Sequence, residues 1–307
     1  MKNFDIHEAV TNRIIEQLAQ GIIPWRKPWK VSGIKIKGAN GLRHVAFNRI
    51  TKTAYSPLNQ MLLSRAGEYA TFAQWKKLSG TIRKGAKAEM VVFWSTGYKK
   101  KGEDDDGNEI DVYVTYDFPV LKFYNVFHIH DVEGVAPLEQ TALNEGNAET
   151  FDSIETAERI AYEYSERERC EICYGGESAF YSPMLDYVQI PCRAAFGENV
   201  GGFYSTLFHE LTHSTGAESR LNRLEKGQRF GNESYSKEEL TAELGAAGLL
   251  SILGIETEST FTNSAAYIQN WLQVLKNDNK MIVSAATRAE KAIKYIINGK
   301  ERETGAA

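Results

Sequence analysis

Apolar residues recur at helical spacing from Phe4 through His7, Val10, Ile14, Ile15 and Leu18, which predicts an amphipathic helix over 4–20 stopped by Gly21. A proline-punctuated loop follows, Ile23 to Lys30. Further helices are expected at 57–65 and at 71–78, the latter with Thr71 as N-cap. Residues 90–94 and 112–116 read as paired strands around a solvated tip at 99–107, and a third strand is expected over 122–130. Periodicity then lapses between 133 and 150, a stretch carrying Pro, Gly, Asn and Glu. Beyond it come a helix at 151–169, short strands at 172–174 and 187–190, and a helix with the stripe Phe203, Leu207, Leu211. A helix from about Ser236 and two more at 265–275 and 282–297 complete the pattern. The expected class is α+β with two domains, a small mixed one over 1–132 and a second over 151–307, joined by a linker at 133–150.

Composition narrows the class. Of 307 residues, 42% are hydrophobic, enough for folded domains rather than disorder. Three cysteines make no disulfide framework, and the expected location is the reducing cytoplasm. Charged residues interrupt the first twenty positions, so no secretory signal is expected, and no long apolar run predicts a membrane span. The net charge of −4 hides an asymmetry: residues 1–100 carry +13 and the rest −17. A basic front half points to a polyanionic partner. The acidic run after Lys101 does not fit a calcium loop, because with Gly107 as its sixth residue the first would be Gly102, which has no side-chain ligand.

The sharpest chemistry lies in Phe208-His209-Glu210-Leu211-Thr212-His213. On a helix, positions i and i+4 share a face, so His209 and His213 can offer ring nitrogens to one Zn²⁺. Glu210 beside them can act as general base toward water. The leucine stripe falls on roughly the opposite side of the helix, and Gly216 suits its end. A third ligand is sought in Ser236-Lys-Glu-Glu-Leu-Thr-Ala-Glu243. Glu239 and Glu243 share a helical face, so one could bind the ion while the other orients a histidine. The alternative is a capping box in which Ser236 occupies Glu239, with Tyr235 and Leu240 as a hydrophobic staple; Glu238 is the remaining candidate. Cys170-x-x-Cys173 with Cys192 lacks a second pair at zinc-finger spacing, and His128-x-His130 reads as ordinary sheet residues.

Trp25-Arg26-Lys27-Pro28-Trp29-Lys30 places rings and cations side by side, the combination that holds nucleic-acid strands. Arg49 and Tyr55 extend it, and Trp75 with Lys76 forms a second cluster. The competing expectation is that the tryptophans anchor a core and the lysines only solubilise. No zinc-finger or RNP signature supports reading of base sequence.

Together these segments resemble the ArdC family of antirestriction proteins. The resemblance rests on PWRKPW at 24–29, YSPLN at 55–59, TFAQW at 71–75, YNVFH at 124–128, AFYSPMLDYVQIP at 179–191, TLFHELTHSTG at 206–216, YSKEELTAELGAA at 235–247 and AAYIQNWL at 265–272. It implies an N-terminal domain that binds single-stranded DNA, similar to that of plasmid primase-associated proteins. It also implies a zincin-like metallopeptidase domain and a role in protecting incoming DNA, through a possible protein substrate in the restriction machinery. A shield whose metal site is structural or inactive is the alternative. Within the resemblance Glu239 is the third ligand and Glu243 its supporting neighbour. The chain departs from the family where Tyr55-Ser-Pro-Leu-Asn59 lacks an arginine and where Val126-Phe-His-Ile-His-Asp131 replaces V-F-N-x-x-Q.

Overall fold

A computed structural model describes residues 4–26, 45–103, 109–138, 152–224, 233–255 and 265–299. In chain order the elements are α1 (Ile6–Ala19), β1 (Ala46–Asn48), α2 (Pro57–Leu62), β2 (Gly67–Thr71), α3 (Phe72–Lys77), β3 (Thr81–Ile82), β4 (Glu89–Glu103), β5 (Glu109–His128) and β6 (Val132–Glu133). After residue 151 come α4 (Ser153–Glu168), β7 (Glu171–Tyr174), β8 (Phe180–Ser182), β9 (Tyr187–Ile190), α5 (Val200–Ser214), α6 (Glu233–Leu253), α7 (Ala265–Asn277) and α8 (Met281–Asn298). The class is α+β, as expected.

Local chemistry sets several boundaries. Asp5 caps α1 by accepting from the backbone N–H groups of His7 and Glu8. Thr71 caps α3 in a full capping box with Gln74. Asp152 opens α4 in the same way as Asp5 opens α1.

The front sheet runs β1-β2-β5-β4, with β1 parallel to β2 and the rest antiparallel. Its hairpin is longer than the sequence pattern shows. The expected strands 112–116 and 122–130 belong largely to one strand, β5, and 90–94 pairs with 121–125 instead of 112–116. The register slips between Ser95↔Val120 and Gly97↔Thr115. Pro119, which has no N–H to give the ladder, sits in that slip. The rear sheet has the order β7-β9-β8, leaving β8 at an edge.

Two large cores form. In one, Val10, Ile14 and Leu18 of α1 meet Trp25, Val92, Trp271 and Ile282. In the other, Tyr164, Val188, Leu207, Leu211, Leu249 and Ile293 close around α5. Each fully buried aliphatic side chain stabilises by roughly 1.5–3 kcal/mol. The expected linker at 133–150 lies mostly outside the described residues, yet the first core joins residues from both sides of it. The long helix α6 packs against both α5 and α8. Gly245 permits the α5 crossing: a Cβ there would lie 2.5 Å from Thr212 Oγ1. Among the described residues no helix is long and apolar enough to cross a membrane.

Candidate metal centre

Helix α5 is capped by Asn199, whose side chain accepts from the Gly202 N–H, and its stripe Phe203, Leu207, Leu211 is buried as expected. The histidine face therefore turns toward α6. His209 Nε2 and His213 Nε2 face each other at 3.1 Å. Glu239 on α6 approaches both, with an oxygen 3.7 Å from His209 Nε2 and another 3.5 Å from His213 Nε2. Among the described residues this is the one group of three or more His, Cys, Asp or Glu side chains that could hold a metal ion. A tetrahedral zinc with bonds of 2.0–2.1 Å needs donors about 3.3 Å apart. The three separations bracket that value, and the donor atoms of all three residues converge on one point. The residues fit the ion.

The capping-box alternative fails. Helix α6 starts at Glu233, so Ser236 lies inside the helix and cannot be an N-cap, which leaves Glu239 free to face α5. Its carboxyl is resisted by burial but held below the usual range by the hydrogen bond to His209 and the charges of both histidines. The Tyr235 hydroxyl, one turn earlier, also bonds Glu239; burial and that carboxylate push it up to about 12.

Glu238 is a side chain that orients a histidine, beside the Glu243 expected in that role. Its Oε1 lies 3.1 Å from His213 Nδ1. A carboxylate there holds the proton on Nδ1 and leaves the Nε2 lone pair directed at the site. Glu238 is itself clamped by Arg223 through two bonds of 2.9 Å, and Arg223 also donates to Thr215 Oγ1 at 2.6 Å and to the Thr212 carbonyl. Glu243 acts on His209 through its charge. Burial opposes the imidazolium, but the bond from Glu239 with the charges of Glu243 and Glu210 raises the His209 pKa overall. Sequence reasoning missed Arg223, which no motif marks.

Glu210 is buried beside the pair. Burial pushes its carboxyl up; the two histidines oppose this, Glu239 adds to it, and the net direction is upward. The backbone N–H of Tyr181, on the edge strand β8, donates to it. A carboxylate so placed can take up a proton without being a ligand.

The expected nucleic-acid residues are scattered. The Trp25 ring is 8% exposed and meets Trp271 edge-on at 6.2 Å, inside the first core. Trp75 is wholly buried and its indole N–H donates to the Phe127 carbonyl. Neither ring is free to stack on a base, a correction that favours the core-anchor expectation. Tyr55 is half-buried, edge-on to Tyr69. Arg49 is tied to the buried carboxylate of Glu68. Lys76 is exposed on α3. Lys27, Trp29 and Lys30, and the side chain of Arg26, lie outside the described residues. His128 is a sheet residue bonded to the Ala66 carbonyl.

Comparison with known proteins converges on one family. Residues 4–127 match the N-terminal domain of anti-restriction factor ArdC, and residues 158–288 match a zincin-like metallopeptidase. An uncharacterised protein of Sinorhizobium fredii, y4eC, is 32% identical over 94% of this chain and 90% of its own length. The DNA primase TraC of Escherichia coli is 29% identical over 97% of this chain, a match that spans 27% of the primase. Crystal structures of the antirestriction protein ArdC from the R388 plasmid, Mn(II)-bound and metal-free, superpose with TM-scores of 0.69 and 0.67 at 31% identity. The Mn(II)-bound match covers 95% of this chain and 97% of that one. With both halves matched in order and 95% of the length shared, this chain belongs to the ArdC family of antirestriction proteins.

Proposed function

We propose that the protein binds single-stranded DNA with little sequence preference and carries a zinc-dependent peptidase-type site, acting in the cytoplasm to protect incoming DNA from restriction. The observation that carries the peptidase half is the convergence of His209, His213 and Glu239 with Glu210 buried alongside but outside the ligand set. The Mn(II)-bound form of R388 ArdC supports a divalent cation. Two imidazoles and one carboxylate make a donor set that suits zinc and leaves a fourth position open. Zinc, when bound, brings the pKa of a water to near 7 and polarises a carbonyl. Glu210 accepts the proton from attacking water and returns it to the leaving amine. Glu238 keeps His213 in the tautomer that presents Nε2. The substrate is a protein of the restriction machinery, and the basic front half delivers the enzyme to DNA where that machinery acts.

The test pairs metal analysis with transfer assays. Wild-type protein should hold about one zinc per chain. Glu210→Gln should keep the zinc and lose both protein cleavage and protection of conjugated DNA in a restricting host. Loss of zinc in that variant would make Glu210 a ligand. Full protection by it would reduce the protein to a DNA shield with a structural ion.

A further inference from the structure

The hairpin β4–β5 separates its charges by face. Opposed residues of an antiparallel pair share a face, so Phe93 lies with Lys122, Tyr98 with Val114, and Lys100 with Val112. Contacts carry this face across the register slip. Phe93 and Tyr124 stack at 4.9 Å with planes 8° apart. The Lys122 ammonium lies 2.8 Å from the Tyr116 hydroxyl and 5.0 Å from its ring centre. Tyr116 in turn neighbours Tyr98 at 5.6 Å. One surface thus runs Tyr124, Phe93, Lys122, Tyr116, Tyr98, Lys100. Tyr124 is 56% and Tyr98 43% exposed, unlike the buried Trp25 and Trp75. Paired positions on this face carry no carboxylate from Phe93 to Gly102. Glu103, Glu109 and Asp111 belong to the opposite face, where Lys101 pairs with the latter two.

Rings that alternate with cations, with no carboxylate at the paired positions of their face, match the needs of a strand whose bases stack and whose phosphates need neutralising. We infer that this face of the β4–β5 hairpin is the platform for single-stranded nucleic acid, with Tyr98, Tyr116 and Tyr124 under bases and Lys100 and Lys122 on phosphates. The assignment rests on the single-strand binding proposed above and gives it a place that the sequence motifs did not. The rings are shared between the two strands, Tyr98 beside Tyr116 at one end and Tyr124 on Phe93 at the other, with Lys122 between them.

The experiment uses the full chain and a fluorescein-labelled oligothymidylate, read by anisotropy at several salt concentrations. Tyr98→Ala with Tyr124→Ala should weaken binding by at least about five-fold, and by up to about a hundred-fold per lost ring. The Tyr→Phe pair should bind as wild type. Lys122→Gln should flatten the salt dependence by about 0.7 in log–log slope. Photo-cross-linking of a 5-iododeoxyuridine oligonucleotide to wild type should yield adducts at Tyr98, Tyr116 or Tyr124. Wild-type binding that survives the double substitution, or adducts confined to other segments, overturns this assignment and leaves the broader reading standing. A wild type that binds no oligonucleotide overturns both. Self-association abolished by the double variant with DNA affinity unchanged would make the face a contact between two copies.

Discussion

Glu238 Oε1 lies 3.1 Å from His213 Nδ1, and the same carboxylate is gripped by Arg223. The histidine's orientation is therefore fixed from behind by a residue outside the donor set. Glu238→Ala should lower metal affinity about 10–100-fold while leaving the three donors in place. Competition with a chromophoric chelator measures it. Affinity equal to wild type would mean that packing alone orients the ring.

The closeness of α5 and α6 depends on Gly245. A Cβ there would meet Thr212 Oγ1 at 2.5 Å and Cγ2 at 2.6 Å. Gly245→Ala should destabilise the fold by about 1–3 kcal/mol. Combined with Thr212→Ala, much of that cost should vanish, because the nearest remaining atom is the Thr212 Cβ at 3.1 Å. A denaturant series on both single variants and the double supplies the cycle. Strict additivity of the two losses would rule out the contact.

Arg220, buried in the loop after α5, makes two bonds to Asp186, at 2.8 and 2.9 Å. Burial resists the Asp186 charge, but Arg220 and the Tyr181 hydroxyl hold its pKa below the usual range. A depressed folded pKa stabilises above the unfolded value of about 3.9 and is lost as pH falls through the lower folded value. Asp186→Asn keeps a residue type that tolerates the positive φ of 52° at this position. The variant should be less stable than wild type at pH 7, and the gap should narrow below about pH 4. Thermal melts across that range test the sign. A gap that widens on acidification would contradict it.

Trp25 and Trp75 behave as core residues in this fold. Trp25→Ala and Trp75→Ala should each cost about 3–5 kcal/mol. Guanidinium unfolding reads this directly. Unchanged stability with weakened oligonucleotide binding would restore the stacking role first expected of them.

Legibility followed the range of the interactions involved. The pair His209 and His213 was legible because i, i+4 geometry is local to one helix, as was the cap at Thr71. Glu239 was within reach of the pattern, but the choice among Glu238, Glu239 and Glu243 depends on how α6 is rotated against α5. That rotation is set by a crossing at Gly245 and by Arg223, 15 residues before Glu238, and no local signal encodes either. The tryptophans misled because their neighbours decide their role, and Trp271 is remote in sequence from Trp25. Alternation gave the strands around Val91 and Val112 but not their partners, since the slip near Pro119 resets the register.

The Thr11 hydroxyl donates to the Asn279 carbonyl, a bond spanning 268 positions, and Val10, Ile14 and Leu18 of the same helix are sealed by residues of α7 and α8. On the ribosome, at ~5–20 residues per second, that seal cannot form until roughly a quarter to most of a minute after α1 has emerged. During this interval the apolar face of the first helix has only its front-half partners, among them Trp25, Leu58 and Val92. The core of the front half thus closes late, not first, because it waits for α7 and α8.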